Sequence, residues 1–529
     1  MTRTSPIPKR PTGELVAIGV ASYVVVLRLL FLGLVDLWPQ EAYYWNYSQH
    51  LDIGYLDHPP MVAWLIGAGT GVFGDTEIGV RIAAWLLWFV TAFFTFRRTD
   101  RIFGKPAAFM SLLLVAALPF YFATAFLMTP DSLLVAAWAG ALYFLDRALI
   151  EGRRNAWWGV GLCVGLGMLS KYTIAVLGPA TLWFLVVDSR ARSWLRRPEP
   201  YLAAVLALLI FSPVIYWNLE NGLASFAFQS TRRMGSAFRF SLPRLIADAA
   251  ILLTPTGLVA AAASLWARRE GGSAGPARTE ERRVSRFILI FTLVPLAVFV
   301  VFSLSRGVKL NWTGPIWLAV LPAIAAAIAS ATENRSVFEL TLRRAWVPTV
   351  AAGLVAYGLL LGYMVLGLPG FGYAVRLPRA PIAWSEFGRE AAGLSLAVKQ
   401  ATGDEPLMIG LDTYNVASQL AFYGGRGGAT ANSVGRGILG RKSLMFDYWY
   451  RAEPLRGRPA VMMAFKRSQI LDPALAHHFT RLSDPREHLV TKAGRPAGRF
   501  YYRIGYGFKG RSRQQTEPIQ IGTSPASSQ

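Results

Sequence analysis

A chain of 529 residues that is 53% hydrophobic and only 16% charged is too apolar for a soluble protein of its length. Its formal net charge of +23 does not point to nucleic acid, because the Lys and Arg residues sit between apolar runs and form no continuous basic stripe. The single cysteine, Cys163, lies inside an apolar run, which excludes an intramolecular disulfide and a cysteine-based metal site.

The apolar runs are of the length that crosses a bilayer as a helix, so the chain reads as a polytopic α-helical membrane protein. Residues 1–13, with Arg3, Lys9 and Arg10, form an N-terminal cytoplasmic segment before a first run too long for a signal-peptide core. That run is read as a retained signal anchor. About 11 transmembrane helices are expected, near 14–35, 78–96, 106–126, 131–149, 156–170, 172–188, 200–217, 245–266, 287–305, 313–331 and 345–367. The fifth and sixth are short enough to be a bent or re-entrant pair. With this count the clusters Arg97–Lys105, Arg147–Arg154, Arg190–Arg197, Arg268–Arg286 and Arg335–Arg344 all fall on one face, which is then cytoplasmic.

The opposite face receives the loop 36–77, the turn Met128-Thr129-Pro130-Asp131, the junction Ser170-Lys171-Tyr172, the loop 218–244, the segment Arg306–Asn311 and everything after Leu368. Within the first loop, Glu41–Gln49 has helical character. Pro59-Pro60 opens a second amphipathic helix, Met61–Phe73; both are expected along the membrane interface. The loop 218–244 reads as another interfacial segment, with basic residues for which the positive-inside rule gives no reason. The membrane module spans about 14–370. Residues 380–510 read as a small soluble α/β domain with strands Pro406–Leu411, Ala460–Phe465 and Arg499–Ile504 and a helix Thr413–Tyr423; 511–529 reads as a disordered tail.

Polar residues at the mouth of a hydrophobic span raise a functional-site hypothesis. Glu41, Asp57, His58 and Asp131 are the acid and imidazole candidates, with Glu41 and Asp131 as possible general bases for a hydroxyl. Helix-end acids are the alternative reading for both carboxylates. Lys171, between two apolar runs, either snorkels to the interface or grips a lipid phosphate; Arg81, Lys309 and Arg232 share that second reading. No second histidine accompanies His58, so spacing defines no metal site, although an Asp57/His58 contribution to a divalent cation stays open; no cofactor is assigned. No phosphate-cradling glycine loop is present. Any group transferred is therefore expected to arrive on an activated, membrane-borne donor. A lipid-linked sugar flippase is the rival, but it would want charged sites near mid-membrane and repeated halves, and neither is visible.

The runs Gln40-Glu41-Ala42-Tyr43-Tyr44-Trp45, Tyr55-Leu56-Asp57-His58-Pro59-Pro60 and Gly79-Val80-Arg81 resemble the GT-C superfamily of integral-membrane glycosyltransferases. Within it the chain is similar to the bacterial branch related to protein O-mannosyltransferases and lipid A aminoarabinose transferases. Thr129-Pro130-Asp131-Ser132, Ser170-Lys171-Tyr172, Asn311-Trp312 with Pro315, and Asp412–Tyr423 continue the likeness. The resemblance implies a polyprenyl-phosphate (undecaprenyl) sugar donor and inverting transfer to a lipid or glycan hydroxyl on the periplasmic face of the bacterial inner membrane, by a monomer. It implies that Lys171 meets the donor phosphate and that Arg81, Tyr43, Tyr44, Tyr55, Tyr172, Asn311 and Trp312 line the cavity. The family's first-loop motif usually reads Asp-Glu, with the Asp as leading base. Here Gln40 stands in that place, so Glu41 takes the role, Asp131 takes it, or the activity is altered.

Overall fold

Proline, glycine and short polar residues divide the apolar sequence into helices, with proline at the first or second position of eight of them. In chain order these are α1 (Gly13–Phe31), α2 (Pro39–Gln49), α3 (Met61–Phe73), α4 (Glu77–Phe103), α5 (Lys105–Ala117), α6 (Pro119–Thr124), α7 (Pro130–Leu149) and α8 (Ala156–Met168). They continue as α9 (Leu177–Val187), α10 (Glu199–Glu220), α11 (Ala224–Met234), α12 (Leu242–Arg269), α13 (Pro276–Ser303), α14 (Leu321–Ala329), α15 (Val337–Leu366), α16 (Trp384–Thr402) and α17 (Asn415–Gln419). The computed structural model describes residues 13–234, 238–269, 276–330, 337–374, 377–425 and 433–510. The N-terminal segment 1–12 and the tail 511–529 lie outside them.

The chain divides into two compact units. One contains Met1–Leu34 and Leu51–Leu361, the other Val35–His50 and Gly362–Gln529. Among the described residues seven helices are long and apolar enough to cross a membrane, and Leu310–Leu318 with α14, bent by 60°, makes an eighth. Shorter apolar helices, α5, α8 and Tyr172–Val187 among them, stand where other spans were expected. The run 106–126 breaks at Leu118, whose extended backbone precedes Pro119, because a residue before proline avoids the helical region.

In the membrane unit close helix approach depends on missing side chains. A Cβ on Gly161 of α8 would lie 2.6 Å from the Ala203 carbonyl oxygen of α10, and one on Gly165 would lie 2.8 Å from Ile210. Small residues of this kind let membrane helices pack backbone to backbone. Gly161→Leu is expected to cost about 1–3 kcal/mol by overpacking. A thermal-unfolding midpoint of the detergent-purified protein equal to that of wild type would contradict this packing.

Some of the basic clusters assigned to a solvated cytoplasmic face also act inside the protein. Arg98 is buried, donates to the carbonyls of Leu318 (3.1 Å) and Ala319 (3.3 Å), and lies 3.7 Å from Asp146, which Arg101 also pairs with. Arg283 donates to Asp188 and to the Leu149 and Ile150 carbonyls. A guanidinium offers five donors, so one side chain can satisfy several helix-end carbonyls at once.

The second unit is built on a six-stranded sheet: β1 (Leu407–Gly410), β2 (Ser433–Gly435), β3 (Ala460–Ala464), β4 (Phe479–Leu482), β5 (Arg486–Lys492) and β6 (Arg495–Phe508). The order is β2-β1-β3-β6-β4, with β5 also on β6; β2, β1 and β3 are parallel and the rest antiparallel. The uninterrupted burial of β1 and β3 fits parallel strands covered on both faces. Leu407, Ile409, Val434, Met462, Phe479 and Phe508 fill the core. The expected strands at 406–411 and 460–465 are present, and the one expected at 499–504 is the middle of β6, while β2, β4, β5 and α16 were not anticipated.

Val35–His50, the start of the loop 36–77, belongs to this second unit and not, as expected, to the membrane module. The Leu37 N–H donates to the Tyr423 hydroxyl (2.7 Å), Gln419 donates to the Leu37 carbonyl (2.8 Å), and Asp36 accepts from the Trp384 N–H (2.9 Å). The α2 aromatics pack here: Tyr43 lies 4.5 Å from Tyr414, Trp45 5.1 Å from Phe422 and Tyr47 5.6 Å from Trp449, ring centre to ring centre. Their row along α2 is a packing surface, because large flat rings bury the most area per residue.

Candidate functional site

In the membrane unit α7 opens with Thr129-Pro130-Asp131-Ser132. Thr129 and Ser132 form the capping box, and the Ser132 hydroxyl also donates to the Leu127 carbonyl (2.9 Å). The helix start is therefore satisfied without Asp131, whose side chain is free to turn elsewhere. It accepts from the Lys171 ammonium at 2.9 Å through Oδ1 and from the Asn311 amide at 2.5 Å through Oδ2. Asp131 is 4% exposed and Lys171 8% exposed. Three residues 40 and 180 positions apart in sequence thus meet in one buried polar cluster.

Local structure explains how Lys171 arrives there. After α8 its backbone turns extended, with φ −159° and ψ 131°, while the Ser170 hydroxyl donates to the Pro130 carbonyl (2.6 Å). That bond seats the 170–171 junction against the first turn of α7. Asn311 sits in the 3-10 segment Leu310–Leu318, and the neighbouring Trp312 is buried against Phe299 and Phe302.

Around this cluster the later part of the first loop is fixed to the membrane unit. The Met61 N–H donates to the Leu169 carbonyl (3.0 Å), Trp64 donates to the Asp52 carbonyl, and Trp217 donates to the Asp52 carboxylate (2.9 Å). The Tyr172 hydroxyl is 2.8 Å from that of Ser225, and Gln229 of α11 donates to the Asp57 carbonyl (2.6 Å). Asp57 and Tyr55 are buried, His58 is half-buried, and the Tyr55 hydroxyl accepts from the Asp52 N–H. Arg81 is fully buried, donates to the Leu32 carbonyl (3.1 Å) and lies over the Phe126 ring, an arrangement that fixes the end of the first span. Lys309 is exposed. The Arg232 and Arg233 side chains lie outside the described residues.

In the second unit Glu41 is fully buried and accepts from the Trp38 N–H (3.1 Å), the reciprocal half of the α2 capping box. Gln40 is exposed, and Tyr43 and Tyr44 are buried. Among the described residues no three His, Cys, Asp or Glu side chains are grouped to hold a metal ion.

Over 92% of its length the chain superposes on crystal structures of ArnT from Cupriavidus metallidurans, with TM-score 0.63 and 18% identity to the form bound to undecaprenyl phosphate, of which 97% is covered. The family described as dolichyl-phosphate-mannose-protein mannosyltransferase matches residues 57–217. The chain thus has the fold of these ArnT structures. Among curated relatives, the lipid A galacturonosyltransferase RgtD of Rhizobium johnstonii is 29% identical over 40% of this chain and 44% of its own length. The lipopolysaccharide core galacturonosyltransferase RgtA of the same organism is 28% identical over 74% of this chain and 76% of its own. The chain spans about half the length of the first curated relatives it matches, at 44%, 58% and 48%.

Residue-type reasoning found Asp131, Lys171 and Asn311 but not their direct pairing, because ion pairs between distant segments leave no local spacing. Asn218 and Asp36 were missed for the same reason. Asn218 accepts from the backbone N–H groups of Ser225 and Phe226, and the only sequence hint was an amide in the last turn of an apolar helix.

Proposed function

We propose that this chain is an inverting glycosyltransferase that moves a sugar from a polyprenyl-phosphate donor to an acceptor hydroxyl of lipid A, the lipopolysaccharide core or another envelope glycan. The observation that carries the proposal is the buried Asp131–Lys171–Asn311 cluster in a chain with the GT-C fold. The printed activities of the relatives, galacturonosyl transfer to lipid A or lipopolysaccharide core and aminoarabinosyl transfer from undecaprenyl phosphate, supply the substrate class.

In this reading the donor lies in the outer leaflet and its phosphodiester meets Lys171. The ammonium neutralises charge that grows on the phosphate as the glycosidic C–O bond breaks, and so improves the leaving group. Asp131 and Asn311 hold Lys171 in place. Both Asp131 oxygens are already engaged, so Asp131 serves as an orienting group. The base is assigned to Glu41 by the first-loop resemblance alone: it takes the proton of the acceptor hydroxyl as that oxygen attacks the anomeric carbon from the side opposite the departing phosphate and inverts it. The acceptor oxygen gains the sugar, the lipid phosphate leaves with the bonding pair, and the proton stays with Glu41. The reaction runs on the periplasmic face of the bacterial inner membrane in a single chain whose N-terminus is cytoplasmic, an orientation supported by the one-sided basic clusters.

Mass spectrometry of envelope lipids and glycans from cells with and without the gene tests this reading. The loss of one glycosyl substituent from an otherwise intact glycolipid or glycan is expected. Identical profiles, under conditions where the protein is expressed, would contradict it.

A further inference from the structure

A cavity of about 630 Å³ lies wholly within the second unit. That volume is within the range that takes a small ligand. It opens at the carboxyl ends of three parallel strands: Asp412–Val416 follow β1, Arg436 follows β2, and Phe465–Gln469 follow β3. The chain leaves β1 to form β2 on one side of it and later returns to form β3 on the other. In open α/β sheets the crevice outside the strand ends at such a reversal is where ligands bind.

The lining chemistry selects among ligands. Two cations face the cavity, Arg436 and Lys466. Arg436 is oriented by bonds to the Lys442 carbonyl (3.1 Å) and the Thr413 hydroxyl (3.2 Å), whereas Lys466 is exposed. Asp412 accepts from the Val416 N–H (3.0 Å), and burial pushes its carboxyl above the ordinary range, against the pull of nearby hydrogen bonds and Arg436. Two cations against this one carboxylate leave the balance of the cavity positive. Trp38, Tyr414 and Phe465 supply aromatic rings, and Gln40, Asn415 and Gln469 supply amides. Flat rings beside amides suit the C–H faces and hydroxyls of a sugar, and the cations suit an anionic group on it.

We propose that this cavity binds a saccharide that carries an anionic group, either a sugar phosphate or a uronate. The proposal adds a sugar site to the transferase reading and rests on that reading only for the identity of the physiological glycan. Binding is measured without turnover.

The test is isothermal titration of the purified full-length protein in lipid nanodiscs with glucosamine 1-phosphate, galacturonate, galactose and inorganic phosphate. At least one anionic sugar is expected to bind about tenfold more tightly than galactose or inorganic phosphate, and Lys466→Gln and Arg436→Gln are each expected to weaken it about tenfold. Preference for the sugar phosphate identifies a phosphorylated glycan, and preference for galacturonate an acidic one. Lys171→Met paired with Asp131→Asn, which removes both buried charges of the membrane-unit cluster, should leave this binding unchanged. Lys466 is on the surface, so its variant keeps the test valid if the Arg436 variant unfolds. Equal affinity for galactose, no saturable binding by either anionic sugar, or binding lost in the folded paired variant and retained in Lys466→Gln would overturn the proposal. Any of these results leaves the envelope-glycan comparison free to succeed or fail by itself.

Discussion

Lys171→Met is expected to lower kcat by about 10²–10³-fold, the usual cost of deleting one preorganised donor to a developing anion. The same change strands the Asp131 carboxylate in a site where it is 4% exposed. Leaving one partner of a buried ion pair uncompensated costs about 3–5 kcal/mol, so lost activity in the single variant would mix chemistry with folding. The paired variant Lys171→Met with Asp131→Asn separates them. With the buried charge removed from both sides, its thermal midpoint is expected to return close to the wild-type value while transfer stays low. Recovery of activity in the paired variant would show that Lys171 serves only to neutralise Asp131.

Glu41→Gln is expected to reduce turnover by about 10²–10⁴-fold, the range for a general base. The structure makes this a demanding test, because Glu41 is fully buried and one of its oxygens accepts from the Trp38 N–H. Glutamine keeps the shape and a carbonyl oxygen for that bond, so the α2 capping box and the seating of α2 against Tyr414, Phe422 and Trp449 should survive. Near-normal midpoint with lost turnover assigns the defect to the missing carboxylate. Near-normal turnover would remove Glu41 as the base, and a lowered midpoint with proportionate loss of activity would make it a capping residue alone.

The parts of this fold that were legible in the sequence are those written locally. Pro59-Pro60 followed by an apolar run marks α3 at the residues where it occurs, and Pro130 marks a helix start, whereas the breaks before Pro119 and Pro322 fall inside runs read as unbroken spans. The partnership of residues 35–50 was not legible. The aromatic row of α2 suits a membrane interface and a protein interior equally well, and only the positions of Tyr414, Phe422 and Trp449, some 370 to 405 residues later, settle where it packs. Strands β4 and β5 escaped notice because their solvent faces are polar and their inner faces short. The β5–β6 hairpin turns at Ala493-Gly494, both with positive φ, a two-residue turn that no Asn-Gly or Asp-Gly pair announced.

At the candidate site each residue type was informative and each pairing was not. An acid after Thr-Pro reads as a helix cap until Thr129 and Ser132 are seen to supply the cap themselves. A lysine between two apolar runs reads as a snorkelling side chain until Asp131 is found 2.9 Å away.

The most direct measurement is transfer by the purified protein, reconstituted with a radiolabelled undecaprenyl-phosphate sugar and membrane glycolipid acceptor, with the anomeric configuration of the product read by NMR. Label on the acceptor with inverted configuration, lost in Lys171→Met paired with Asp131→Asn, is the expected result. Label that stays on the carrier lipid with a well-folded protein, or transfer undiminished in the paired variant, would contradict the account.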